Sequence, residues 1–148
     1  MIFIRIWHYR LLPYLPDLQF KGQLRELVAI MRAWRDSGTT NHLLINKVME
    51  YEKAELVRYF IDYEKEFHKR YGKWLEQYAK EFLVFSEHNP KLKKYYQIGW
   101  HDKEYLRICM ANLYEKHKYG IGKSRITDEE WQRLIDGYKE TTGEEYRI

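Results

Sequence analysis

The sequence predicts an all-α fold, a compact single-domain helical bundle with an extended amino-terminal arm, and three observations carry that prediction. After residue 16, apolar side chains recur at spacings of three and four. The one alternation of period two, Ile2, Ile4 and Ile6, is too short to build a sheet. With 148 residues, 45% of them hydrophobic and 32% charged, the chain has enough apolar surface for one core and too many charges for a membrane protein.

The helices follow in order. Asp17 after Pro16 is the expected N-cap of the first, and Leu24, Leu27, Val28, Met31 and Trp34 form its apolar stripe, which should stop near Ser37-Gly38. A short helical segment is expected from His42 to Met49. A longer one places Leu56, Tyr59, Phe60, Tyr63 and Phe67 on one face; Gly72 interrupts it, and Leu75, Tyr78, Ala79, Phe82 and Leu83 resume the pattern up to Asn89-Pro90. Residues 89–101 lack a period and are expected to form a basic, aromatic loop. Asp102 should cap a helix burying Leu106, Cys109, Met110 and Leu113, closed by Gly120 and Gly122. Thr127 with Glu130 reads as a capping box, opening a last helix that buries Trp131, Leu134, Ile135 and Tyr138.

Several function classes lose support at once. No stretch approaches the roughly 20 apolar residues of a spanning helix, and Arg5 within the first apolar run argues against a signal peptide, so a cytoplasmic location is expected. The single Cys109 excludes an internal disulfide and is expected to be a buried small hydrophobe. The six His show no i, i+4 pair, so no metal is expected. Serine-hydrolase elbows, phosphate-binding glycine loops and dinucleotide fingerprints are absent, and no small-molecule cofactor is expected.

Charge says more by its distribution than by its total of +4. Lys and Arg outnumber Asp and Glu by 7 to 3 in residues 1–49 and by 9 to 3 in residues 90–125, whereas the intervening and final stretches are acidic. The second basic block interleaves Lys91, Lys93 and Lys94 with Tyr95, Tyr96 and Trp100, a mixture suited to a phosphate backbone beside unstacked bases. A solvated lysine-rich face would have the same composition. On the first helix, Arg25 and Glu26 lie off the apolar stripe among Gly22, Ala29 and Ala33. Such small residues admit a close approach, either by a nucleic acid strand or by a neighbouring helix.

Arg5-Ile6-Trp7-His8, then Leu12-Pro13-Tyr14-Leu15-Pro16, then Gly22-Gln23-Leu24-Arg25-Glu26-Leu27 resemble, in that order, the pyrimidine-dimer DNA glycosylase family of the phage endonuclease V type. The resemblance is greatest to a small branch opening with Arg-(Leu/Ile)-Trp-His and carrying Gly-Gln-His-Arg-Glu; Leu24 stands here in place of that His, and three more residues precede Arg5 than in the classical members. The resemblance implies an all-α fold and a base-lesion glycosylase with abasic-site lyase activity. A terminal α-amine, here that of Met1, would attack C1′ and form an imine. Its pKa of about 7.7–8.0 leaves a useful uncharged fraction at neutral pH.

Glu26 would then assist the proton transfers, and Arg5 and Arg25 would hold phosphates. Lys21 is a second candidate amine. His8, Lys21, Gln23, Lys93, Lys94 and Tyr95 complete the expected DNA-binding set, the partner being a damaged duplex met by a monomer. The alternatives are a non-catalytic nucleic-acid-binding protein of the same fold and a helical protein-interaction module.

Overall fold

The computed structural model describes residues 6–37, 53–86 and 101–147. Its elements are a 3-10 helix at Tyr9–Tyr14, α1 at Asp17–Asp36, α2 at Lys53–Tyr71, α3 at Glu76–Phe85, α4 at Lys103–Lys118, a 3-10 turn at Gly122–Ser124 and α5 at Asp128–Thr142. The fold is all-α, with no strand among the described residues. The segment expected at 42–49 and, save for residue 101, the loop expected at 89–101 lie outside those residues.

The chain divides into two compact units, one of residues 1–23 and 99–148 and one of residues 24–98. In the first, the sequence expects an extended arm, but the structure winds Tyr9–Tyr14 into a 3-10 helix and buries Ile6, Trp7, Leu11, Leu12 and Leu15. Five apolar side chains in ten residues have too much surface to leave in water. This segment packs on α5: Arg133 donates to the Pro13 carbonyl at 2.9 Å, Arg10 to the Thr141 carbonyl at 3.1 Å, and the Tyr14 hydroxyl to Glu140 at 2.9 Å. The Tyr14 ring lies on Gly137, where a Cβ would run into the ring carbons. Gly137→Ala should therefore cost about 1–3 kcal/mol of stability, measured by urea unfolding; an unchanged midpoint would show that the ring moves aside freely.

The caps of this unit stand where the sequence expects them. Asp102 accepts from the Tyr105 N–H at 2.8 Å, and Thr127 and Glu130 form a reciprocal capping box. Each satisfies helix N–H groups that have no partner within the helix. Leu106, Cys109, Met110, Leu113, Trp131, Leu134 and Tyr138 are buried, while Ile135 is only half-buried. Burial pushes the Cys109 thiol up to about 12, so it stays a neutral packing group.

In the second unit the remainder of α1 buries Leu27, Val28, Ile30 and Met31, and α2 packs on α3 through stacked Phe60 and Phe82 rings, 4.3 Å apart. Arg32 grips Glu81 with two hydrogen bonds of 2.8 and 3.0 Å, tying α1 to α3. Gly72, at φ 71°, ends α2 in the left-handed region. The interruption resets the phase of the next helix: Phe82 and Phe85 turn inward, Phe85 meets Trp34 edge-on, and Leu83, expected in the core, is 44% exposed. At its start, α1 takes Asp17 as its first helical residue and not as its cap, with Pro16 accepting from Phe20.

Candidate functional site

Two sets of residues from the family-like segments come out in different surroundings. Along α1, Lys21 and Arg25 are exposed and Glu26 is half-buried. At 100° per residue, Lys21 with Arg25 and Gly22 with Glu26 stand one above the other, and Ala29 continues the row. A Cβ on Gly22 would meet nothing within 4 Å among the described residues, so no described neighbour requires its small size. The helix thus carries an exposed guanidinium and a half-buried carboxylate on consecutive residues, both off its apolar stripe.

The second set is internal. The N–H groups of Trp7, Tyr9 and Arg10 precede the first hydrogen bond of the 3-10 helix and take side-chain acceptors instead. The Trp7 N–H donates to Gln23 Oε1 at 2.7 Å, and the Tyr105 hydroxyl donates to the Ile6 carbonyl. Two histidines complete the arrangement. Arg10 N–H donates to His8 Nδ1 at 3.2 Å, so the proton of His8 resides on Nε2, which donates to the His101 carbonyl at 3.0 Å. Tyr9 N–H in turn donates to His101 Nδ1 at 3.2 Å.

Both imidazoles are neutral in the fold, and burial keeps them so. His8, 2% exposed, is lowered to about 4, mainly by desolvation. His101, 5% exposed, is held well below its ordinary value by desolvation and by His8 beside it.

The structure places two of the residues expected to touch DNA inside the protein. Gln23 is 1% exposed and His8 2%, and each is engaged within the protein. They fix the path of the chain just after Arg5 and present no surface to a duplex. Trp7 fills the core. Met1, Arg5, Lys93, Lys94 and Tyr95 lie outside the described residues, as do Tyr96 and Trp100. The roles of His101 and Tyr105 had no signal in the sequence, because each partner is over ninety residues away along the chain.

Elsewhere in the first unit, a cleft of about 780 Å³ is lined by Arg107, Tyr138 and Arg147 but also by Glu104, Glu144 and Glu145. Its mixed charge does not suit a polyanion. No group of three or more His, Cys, Asp or Glu among the described residues could hold a metal ion, and no described helix is long and apolar enough to cross a membrane.

No curated protein and no solved structure matches the chain. The family model described as pyrimidine dimer DNA glycosylase matches residues 4–89, a stretch of 86 residues, which is more than half of the 148. That stretch takes in the 3-10 segment, the whole of α1 with Gln23, Arg25 and Glu26, and α2 and α3. On that match, the chain belongs to the pyrimidine dimer DNA glycosylase family.

Proposed function

We propose that the protein removes a damaged pyrimidine from duplex DNA and then cleaves the strand, using its terminal amine as nucleophile. The Met1 nitrogen attacks C1′ of the damaged nucleotide, and the glycosidic bond breaks with its electron pair going to the departing base. The sugar ring opens to an imine between C1′ and the amine. Loss of a C2′ proton then expels the 3′ phosphate by β-elimination. Glu26 moves the protons at the sugar and faces the cationic imine, while Arg25 and Arg5 hold phosphates beside it. Reaching C1′ requires a distorted duplex with a nucleotide turned out of the stack.

The observation that carries this reading is the hydrogen bond from Trp7 N–H to Gln23 Oε1. It ties the amino-terminal segment to the same helix that bears Glu26, whose residue lies three positions further on, a rise of about 4.5 Å. Six residue steps separate Met1 from Trp7, and a chain of that length spans at most about 20 Å. Glu26 is therefore within the reach of a terminus tethered at this point. Gln23 acts in this scheme as a positioning residue.

Incubation with a duplex containing an abasic site, in the presence of borohydride, tests the proposal. The expected result is a covalent protein–DNA adduct together with strand cleavage when the reductant is omitted. Binding without an adduct would leave a non-catalytic nucleic-acid-binding protein, and no binding at any salt concentration would leave a helical interaction module.

A further inference from the structure

The turn between α4 and α5, outside the stretch matched by the family model, carries a feature the proposed mechanism does not use. Residues 116–125 hold Lys116, Lys118, Lys123 and Arg125 and no carboxylate. At its tip Tyr119 is 69% and Ile121 86% exposed. Such exposure is not the result of a loose loop. Ile126 N–H donates to the Lys116 carbonyl at 3.2 Å and His117 Nδ1 to the Ile126 carbonyl at 2.9 Å, which close the base. Ser124 Oγ donates to the Ile121 carbonyl at 2.9 Å.

The glycines complete the shape. A Cβ on Gly120 would run into the Lys116 carbonyl and lie 2.9 Å from the Arg125 Cα, and Gly122 sits at φ 65°. The fold thus holds an apolar tip away from its own core and surrounds it with cations. Arg125 pairs with Asp128 at 3.4 Å, a carboxylate itself on the solvent side.

We infer that this turn is a second DNA-contacting element, in which the cations hold phosphates and Ile121 enters between base steps as a wedge. The inference rests on the DNA-acting reading above. Charge favours a polyanion over any neutral partner, and a branched apolar side chain flanked by Lys and Arg is the arrangement by which proteins prop open a bent duplex from the minor groove. A substrate from which a nucleotide must be turned out supplies such a bend.

The test compares three proteins by fluorescence anisotropy on a lesion-containing and an undamaged duplex, over a series of salt concentrations. The first is wild type, the second carries Lys116→Gln, Lys118→Gln and Lys123→Gln together, and the third is Ile121→Ser. All substituted side chains are exposed, so thermal midpoints should match and serve as the folding control. The triple variant should flatten the slope of log K against log salt by about 0.9 for each phosphate it no longer neutralises. Ile121→Ser should keep the slope and lose about tenfold in preference for the lesion duplex.

If the wild type binds DNA and forms the borohydride adduct while both variants match it, the wedge inference fails and the catalytic proposal stands. Absence of DNA binding by the wild type would overturn both. In a parallel flotation assay with anionic phospholipid vesicles, a loss by the variants with DNA binding unaltered would overturn the inference and assign the turn to a membrane surface.

Discussion

Glu26→Gln should lower the rate of strand cleavage at an abasic site by about two to four orders of magnitude, the usual contribution of a positioned acid–base group. The substitution keeps size and hydrogen-bonding capacity, so the half-buried position on α1 should tolerate it with little change in thermal midpoint. In the proposed mechanism it removes the ability to accept the C2′ proton and the negative charge facing the imine. DNA affinity should hold or rise slightly, since a negative charge near the phosphates is lost. Single-turnover kinetics on pre-bound substrate separates the two effects. A rate within about threefold of wild type would remove Glu26 from the chemistry, given the size of the effect expected of an acid–base group. Arg25→Gln gives the contrasting pattern, with weaker binding and a salt slope reduced by about one.

Acidification should unfold the protein earlier than its carboxylates alone would require. His8 is neutral in the fold and its pKa is lowered from 6.5 to about 4, by desolvation first and by the nearby Arg10, with Asp102 and the His101 carbonyl partly opposing. In the unfolded chain it regains an ordinary value. Unfolding therefore takes up a proton between pH 6.5 and about 4, and the stability contributed by the neutral ring is full above 6.5 and lost progressively as the pH falls through that window. The depressed pKa is equivalent to about 3 kcal/mol. His101 shifts in the same direction and adds to the loss.

Between about pH 6.5 and 5 ordinary carboxylates remain ionised, so the slope of unfolding free energy against pH in that range should report both rings, approaching two protons. His8→Asn should reduce the slope by about one proton. A flat profile down to about pH 5 would mean that the two imidazoles are not held neutral.

Most of the scaffold was legible because it depends on local signals. The capping box at Thr127 and the Asp102 cap each involve residues three apart, and the stripes on α1, α4 and α5 follow the helical period. What was hidden depends on distance along the chain. His8 pairs with His101, ninety-three residues away, and Tyr105 with Ile6, ninety-nine away; nothing in the neighbourhood of either residue marks these contacts. The same holds for Gln23, whose place in the family-like motif suggested a DNA contact but whose side chain is consumed by the Trp7 N–H. Leu83 missed the core because its helix starts afresh after Gly72, and a short break in phase cannot be seen from periodicity. Arg25 and Glu26, by contrast, lie off the apolar stripe as the helical wheel assigns them, the first exposed and the second half-buried.

The proposed chemistry depends above all on the nucleophile being the amine at the chain's own amino terminus. Proteolysis of the borohydride-reduced adduct, followed by mass spectrometric sequencing of the DNA-bearing peptide, identifies the nitrogen that attacked. The deoxyribose remnant is expected on the α-nitrogen of Met1, and blocking this nitrogen by selective acylation at mildly acidic pH should abolish the adduct. A remnant on the ε-nitrogen of Lys21 or any other lysine, with trapping undiminished after the terminus is blocked, would refute the terminal-amine mechanism.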